Sequence, residues 1–187
     1  DVIDAKVVIA AVLCNDAQRN GDGLIGDPTE TALVELAERF GLTKTDLETM
    51  LPRVSEVPFS SERKRMTTIH EVVRVPTISV EHEGKIQNIP LFADPAPRYV
   101  AFMKGAVDSM LEVNSEVRVG GTVRPFGDRE SHPVFNPDGV LSFRERVLKQ
   151  DAETAEKGLR DLGFAMKPLD ALPAKSDVDS VEHGFTF

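Results

Sequence analysis

The β-branched runs of this chain follow one another through tight turns instead of alternating with helices, and this order limits the possible folds. Thr, Val and Ile mix with polar residues from Met66 to Val80, and the same character returns from Tyr99 to Met103. Val117–Val119 and Thr122–Arg124 flank Gly120-Gly121 as the arms of a hairpin. Parallel βαβ units need a helix between successive strands, so the sequence predicts an α+β fold, with a mainly antiparallel sheet flanked by helices.

Helix signals lie between the groups of strands. Asp27-Pro28-Thr29-Glu30 offers an N-cap acid, a proline at the first helical position and a glutamate at the third, and apolar residues then recur at helical spacing. Thr43–Met50 is predicted to be a second short helix, and Gly105 leads into a third. Ser142–Glu145 is a capping box that opens a fourth helix.

Three further stretches are predicted to be extended. Val7–Leu13 is an apolar, largely β-branched run followed by turn residues, a pattern typical of a buried strand. Val54–Phe59 and Leu159–Met166 follow helices and are also predicted to be strands. The segments 81–98 and 112–140 match no specific pattern, and we expect them to be variable loops.

Length and charge limit the class of protein and its partners. With 187 residues, of which 41% are hydrophobic and 28% charged, the chain can bury one core, so we expect a single domain over residues 1–187. The net charge of -9 without a basic run argues against nucleic acid as a partner.

Cys14 is the only cysteine, which excludes an internal disulfide and fits a reducing, cytoplasmic setting. The longest apolar stretch, Val7–Cys14, is far shorter than the ~20 residues that span a bilayer, so we expect this chain alone to be soluble. Both ends have the character of boundaries cut within a larger protein.

Two loop motifs and the histidines give weaker signals. Gly21–Gly26 has the spacing of a dinucleotide-binding loop, but Asp27 would repel a pyrophosphate from the following helix N-terminus. The segment Asp16–Asp27 has part of the calcium-loop pattern, with Gln18 where an acid is usual. A solvated turn explains that segment better. The four histidines lack metal-ligand spacing, so no metal site is predicted.

Phe59 and Lys104 are candidate ligand contacts on chemical grounds. An adenine needs a flat apolar partner and a triphosphate needs cations, and Phe59 lies within a few residues of Arg63, Lys64 and Arg65. The alternative for Phe59 is a buried strand residue. Lys104 precedes Gly105, a residue without a side chain that would let a ligand approach the backbone. The alternative for Lys104 is a solvated lysine at a strand end.

Several short motifs occur in a fixed order, and their order carries more information than any one of them. They are Leu13-Cys14-Asn15-Asp16, Gly26-Asp27-Pro28-Thr29-Glu30, Pro58-Phe59-Ser60-Ser61-Glu62-Arg63-Lys64-Arg65-Met66, Lys104-Gly105-Ala106, Gly158-Leu159-Arg160 and Leu162-Gly163-Phe164-Ala165. Over about residues 5–187, this set resembles the nucleotide-binding domain of calcium-pump-type P-type ATPases.

The resemblance implies a role for each candidate residue. Lys104 would line the adenine pocket, and Lys64 would lie near the base and the phosphates. Glu30 would face the base edge, and Arg160 would reach the phosphates. Glu30 also fits the capping glutamate of its own helix, and both roles remain open. Thr29 is a weaker member of the set, whose hydroxyl could orient Glu30.

Two residues depart from the family pattern. Ser61 stands where many calcium pumps carry an arginine, so one phosphate contact is either missing or shifted to Arg63. Asp161 stands at a position that is normally apolar, on the opposite strand face from Arg160 in the predicted strand. These departures motivate an alternative function, a free-standing interaction domain of the same fold whose pocket has decayed.

The resemblance implies binding without catalysis. The segment Asp-Lys-Thr-Gly-Thr, which carries the phosphorylated aspartate of the family, does not occur in the chain. The implied function is to bind magnesium-ATP for phosphoryl transfer to an aspartate of a separate phosphorylation domain in a membrane-embedded cation pump. The actuator domain of the pump is a second implied partner, and the chain would lie on the cytoplasmic side of the membrane. We expect no catalytic residue and no hydrolysis in the chain alone.

Overall fold

A four-stranded antiparallel sheet, the main sheet, organises the fold. The computed structural model describes residues 5–21, 23–82, 85–119, 122–129, 137–174 and 178–187. In chain order the elements are α1 (Ala5–Leu13), β1 (Gln18–Asn20), β2 (Gly23–Ile25), α2 (Pro28–Arg39), α3 (Lys44–Met50), β3 (Arg53–Ser60), β4 (Arg65–Glu71), β5 (Thr77–His82), β6 (Lys85–Pro90), β7 (Tyr99–Gly105), α4 (Val107–Val113), β8 (Glu116–Val119), β9 (Thr122–Pro125), α5 (Phe143–Glu156), β10 (Gly163–Leu169) and α6 (Val178–Val181). The main sheet has the strand order β10-β7-β4-β3, and β1–β2, β5–β6 and β8–β9 form two-stranded antiparallel pairs. The predicted α+β fold with a mainly antiparallel sheet is confirmed.

The run Val7–Leu13, predicted to be a strand, instead forms most of helix α1. Every residue from Val8 to Leu13 is buried, so the run has no polar face whose period would distinguish a helix from a strand. The helix lies against one face of the main sheet, where it shares an apolar cluster with Met66, Val100 and Phe102. Complete burial therefore explains why the run is continuously apolar.

The opposite face of the main sheet packs against α4 and the C-terminal segment. Ile69, Ala101 and Met103 share a second apolar cluster with Met110 and Phe185. Because successive side chains of a strand point to opposite faces, β7 contributes to both clusters. With both faces covered, the ends of the sheet are where side chains from several strands can reach solvent.

The helix starts predicted from capping residues are confirmed. The Asp27 carboxylate accepts the Thr29 N–H at 2.8 Å, and α2 begins at Pro28. Ser142 and Glu145 form the complete capping box at the start of α5. These signals succeed because each involves residues close together in the sequence.

The strand predictions are confirmed in part. The hairpin predicted around Gly120-Gly121 is β8–β9, although these two glycines lie outside the described residues. The last strand begins at Gly163 rather than at Leu159. The segment 81–98 includes β6, and the segment 112–140 includes β8 and β9. None of the described helices has both the length and the apolar character needed to cross a membrane.

Candidate functional site

Four of the residues selected from the sequence lie at one end of the main sheet, which we call the sheet-end site. The register aligns Ser60 with Arg65, Arg65 with Gly105, and Gly105 with Gly163. Strands β3 and β7 therefore end here, and β4 and β10 begin here. Within three residues of these positions lie Phe59, Lys64, Lys104 and Arg160.

A β-bulge places Phe59 at the sheet-end site. Val57 pairs with Thr67 and Ser60 pairs with Arg65, so two residues of β3 lie opposite one residue of β4. The Phe59 side chain is 60% exposed, which rules out the alternative of a buried strand residue. An aromatic ring with this exposure has a face available for stacking.

Lys104 lies in a cross-strand row between Met66 and Phe164. Directly opposed side chains share a face of a sheet, so Lys104 is on the face that packs against α1. Its ammonium donates to Oε1 of Glu30, and the two side chains are only 10% and 15% exposed. Lys104 is therefore a buried, ion-paired residue, and the alternative of a solvated lysine is wrong.

The carboxylate of Glu30 is also held by the loop that follows α1. The Asp16 N–H donates to Oε2 of Glu30 at 3.2 Å, and the Asn15 side-chain amide donates to the Glu30 carbonyl at 2.9 Å. The cap of α2 is provided by Asp27, while both oxygens of Glu30 serve contacts outside that helix. Thr29, beside Glu30, is exposed. The carboxylate of Glu30 therefore joins Lys104 to the loop after α1 and does not cap α2.

Lys64 lies in the turn between β3 and β4 with a φ of 52°, a left-handed conformation that is uncommon for a residue with a side chain. Its N–H donates to the Ser60 carbonyl at 2.7 Å, and its own carbonyl accepts the Ala106 N–H at 3.1 Å. Its exposed ammonium is 3.0 Å from the Asp108 carboxylate, and this hydrogen bond lowers the pKa of Asp108. Two backbone hydrogen bonds thus contribute to holding the turn, while the ammonium stays at the surface.

The arginines on either side of this lysine point into the protein. Arg63 donates to Oε1 of Glu182 at 2.5 Å and to the Pro58 carbonyl at 2.6 Å. Arg65 donates to Oε2 of Glu182 at 2.9 Å and to the Ser109 hydroxyl at 2.9 Å. These contacts argue against a phosphate contact shifted to Arg63. Glu182 could not be identified from the sequence, because nothing near it in the sequence indicates its partners.

Gly105 lacks a side chain because strand β4 approaches it closely. A Cβ atom at Gly105 would lie 2.6 Å from the Cβ of Arg65 and 2.7 Å from the Lys64 carbonyl oxygen. The space beside Gly105 is thus filled by the turn that carries Lys64. Gly105 shapes the sheet-end site by admitting this turn.

Gly105→Ala is expected to lower the free energy of unfolding by about 1–3 kcal/mol, since the added methyl group must displace backbone atoms of β4. The matched control is Gly127→Ala, because nothing lies within 4 Å of a Cβ at Gly127. Urea unfolding of both variants measures the difference. Equal stability of the two variants would contradict the close approach of β4.

Arg160 and Asp161 lie in the segment that connects α5 to β10. Because β10 begins at Gly163, the prediction that they occupy opposite faces of a strand is wrong. Arg160 is exposed, and Asp161 is half-buried. The pKa of Asp151 is raised by burial and then by the charges of Asp161 and Asp108. Acidic residues therefore flank the cations of the sheet-end site.

A cavity of about 800 Å³, not predicted from the sequence, lies between the loop after α1, helices α2 and α3, and β3. The Lys44 ammonium donates to two carbonyls of loop 15–17 at 2.6 and 2.7 Å. Arg53 forms ion pairs with Asp16 at 2.7 Å and Glu56 at 2.9 Å.

Asp16, the first residue of the possible calcium loop, thus already has a cationic partner. Within the described ranges, no group of three His, Cys, Asp or Glu residues could hold a metal ion.

Comparison with known proteins identifies the family. The family model described as P-type ATPase, cytoplasmic domain N, matches residues 5–187. A calcium-transporting ATPase of Listeria monocytogenes is 37% identical over 165 residues, which are 84% of this chain and 16% of that protein. Calcium-transporting ATPase 1 of Lactococcus lactis is 31% identical over 168 residues, 89% of this chain and 15% of that protein. Calcium-transporting ATPase 1 of Schizosaccharomyces pombe is 28% identical over 169 residues, 86% of this chain and 15% of that protein.

The chain thus spans about 15% of the length of these relatives. The family model, by contrast, covers nearly the whole chain. The motif order that suggested the resemblance and the antiparallel main sheet agree with this match. The chain therefore belongs to the family of cytoplasmic N domains of P-type ATPases.

Proposed function

We propose that this chain binds ATP, as its magnesium complex, at the sheet-end site. The observation that carries the proposal is the convergence of Phe59, Lys64, Lys104 and Arg160, which come from three separate stretches of the sequence. Together they offer an exposed aromatic ring and several cations, the two features that an adenine nucleotide requires.

The adenine would stack on the exposed ring of Phe59. Base-on-aromatic stacking contributes ~1–3 kcal/mol. Lys104 and Glu30 would lie at the base edge, where their existing ion pair offers a donor and an acceptor that are already ordered. Thr29, next to Glu30, would help to orient its carboxylate. Groups that are ordered before binding lose less entropy when the ligand arrives.

Lys64 and Arg160 would face the phosphates, because both are exposed cations at the same end of the main sheet. The net charge of -9 means that the attraction must come from local cations rather than from the whole chain. We propose that magnesium arrives bound to the triphosphate.

We further propose that the chain is the ATP-binding part of a cation pump, on the cytoplasmic side of a membrane. Relatives of the chain are described as calcium-transporting ATPases. In such a pump, the γ-phosphate would pass to an aspartate on a separate phosphorylation domain, and an actuator domain would be a second partner. Closure of the domains would complete the catalytic site. The chain alone positions the nucleotide and supplies no phosphoryl acceptor.

Phe59→Ala is expected to raise the Kd for magnesium-ATP ~5- to 150-fold, because the stacking surface is lost. The free energy of unfolding should hardly change, since the side chain is 60% exposed. The matched control is Phe40→Ala at the end of α2, where the ring is 55% exposed and lies about 15 Å along the helix from Glu30. Isothermal titration calorimetry measures both affinities, and equal affinity of the two variants would refute stacking on Phe59.

A further inference from the structure

Glu182 is a buried carboxylate outside the residues selected from the sequence. Its side chain is 1% exposed and lies directly after α6. A carboxylate in such a setting is unfavourable unless cations and hydrogen bonds compensate its charge. Its donors are Arg63, Arg65 and the hydroxyl of Thr67, which is 3.2 Å from Oε1. All three donors belong to the single short stretch 63–67.

These contacts bracket Lys64 on both sides. Arg63 precedes it and Arg65 follows it, and one carboxylate binds both guanidinium groups. Ser109 adds a further tie, because its hydroxyl donates to the Arg63 carbonyl and accepts from the Arg65 guanidinium. A left-handed lysine is unfavourable on its own and persists where its surroundings fix it. The Glu182 contacts supply such a constraint.

We infer that Glu182 is a positioning residue for the phosphate end of the sheet-end site. It binds the two neighbours of Lys64 and so holds the turn in the conformation that directs the lysine ammonium toward the phosphates. This inference rests on the proposed function. Without the carboxylate, Lys64 relaxes toward an ordinary negative φ, and its ammonium leaves the place where the phosphates bind.

A double-mutant cycle with magnesium-ATP tests this role. In the unaltered chain, Lys64→Met is expected to raise the Kd about tenfold, as for the loss of one charge-assisted hydrogen bond. In the Glu182→Gln background, Lys64→Met is expected to change the Kd less than about twofold, because the ammonium is already displaced. Adenosine, which has no phosphates, should bind all four proteins with similar affinity. A retained adenosine affinity shows that the base pocket is folded.

Ser109→Ala is the second variant, for use if Glu182→Gln does not fold. It removes the hydrogen bonds of the Ser109 hydroxyl to the same turn. In this background, Lys64→Met should therefore raise the Kd for magnesium-ATP less than in the unaltered chain, although the reduction should be smaller than with Glu182→Gln. The nuclear Overhauser effect between the amide and α protons of Lys64 is stronger at a positive φ than at a negative one, so it reports this conformation without any nucleotide, and it should weaken in Glu182→Gln.

The outcomes separate the two proposals. Additive effects of Lys64→Met and Glu182→Gln, or a positive φ retained at Lys64 in Glu182→Gln, would overturn the positioning role and leave the ATP site in place. An unaltered chain that binds neither ATP nor adenosine would contradict the proposed function, and the positioning role with it.

Discussion

Glu182→Gln is expected to lower the free energy of unfolding by about 3–5 kcal/mol, the largest effect that we predict for a single substitution. The carboxylate that binds both Arg63 and Arg65 is 1% exposed. Glutamine keeps the size of the side chain but removes the negative charge. Two guanidinium groups in partly buried positions would then lack a counter-charge, which is costly where solvent cannot compensate.

Urea unfolding measures this loss against Glu156→Gln, an exposed residue at the end of α5. The control is expected to change stability by less than about 0.5 kcal/mol. If both variants lost the same small amount, the network around Glu182 would contribute little to the fold.

Acidification from pH 7.5 to 4.5 is expected to destabilise the chain by about 2–3 kcal/mol through His70 alone. His70 is buried between Leu51 and Thr68. Its Nδ1 donates to the Leu51 carbonyl at 2.7 Å, and its Nε2 accepts from the Thr68 hydroxyl at 2.9 Å. Protonation of Nε2 would remove this acceptor and bury a charge. Burial is the main reason that the pKa of His70 falls from 6.5 to about 4.

The direction of this change in stability with pH follows from proton binding to the folded and unfolded chains. Below pH 6.5 the unfolded chain binds a proton at this histidine, while the folded chain does so only near pH 4. Stability from the neutral ring is therefore fully present above pH 6.5 and is lost as the pH falls toward 4. Urea unfolding at several pH values should show a steeper loss in the unaltered chain than in His70→Gln. The exposed His183, changed to Gln, is the control and should keep the steep loss. An equal dependence of the free energy of unfolding on pH in the unaltered chain and in His70→Gln would contradict the prediction.

Local signals in the sequence predicted local structure well. The caps at Asp27 and Ser142 depend on residues a few positions away, and the β8–β9 hairpin depends on one turn. The prediction of a strand at Val7–Leu13 was wrong for a physical reason, because a short, fully buried apolar run is compatible with either a strand or a helix. The spacing of apolar and polar residues distinguishes a helix from a strand only when one face of the element is polar.

The candidate site was predictable as a set of residues but not as a set of contacts. The motif order selected Glu30 and Lys104, yet their ion pair joins positions far apart in the chain. The partners of Arg63 and Arg65 were also unpredictable, since Glu182 lies near the other end of the sequence. Residue types indicated cations near an aromatic ring, whereas only the fold separates Lys64 at the surface from the two arginines that point inward.

The most direct test of the ATP site is a titration of the ¹⁵N-labelled chain with magnesium-ATP, followed by amide chemical shifts. We expect saturable shifts that cluster at Phe59, Lys64, Gly105 and Arg160, with no phosphate released above background. Shifts centred instead on Lys44 and Glu48, which line the cavity of about 800 Å³, would place the nucleotide elsewhere. The absence of any shift at millimolar ATP would favour an interaction domain with a decayed pocket and would contradict the proposed function.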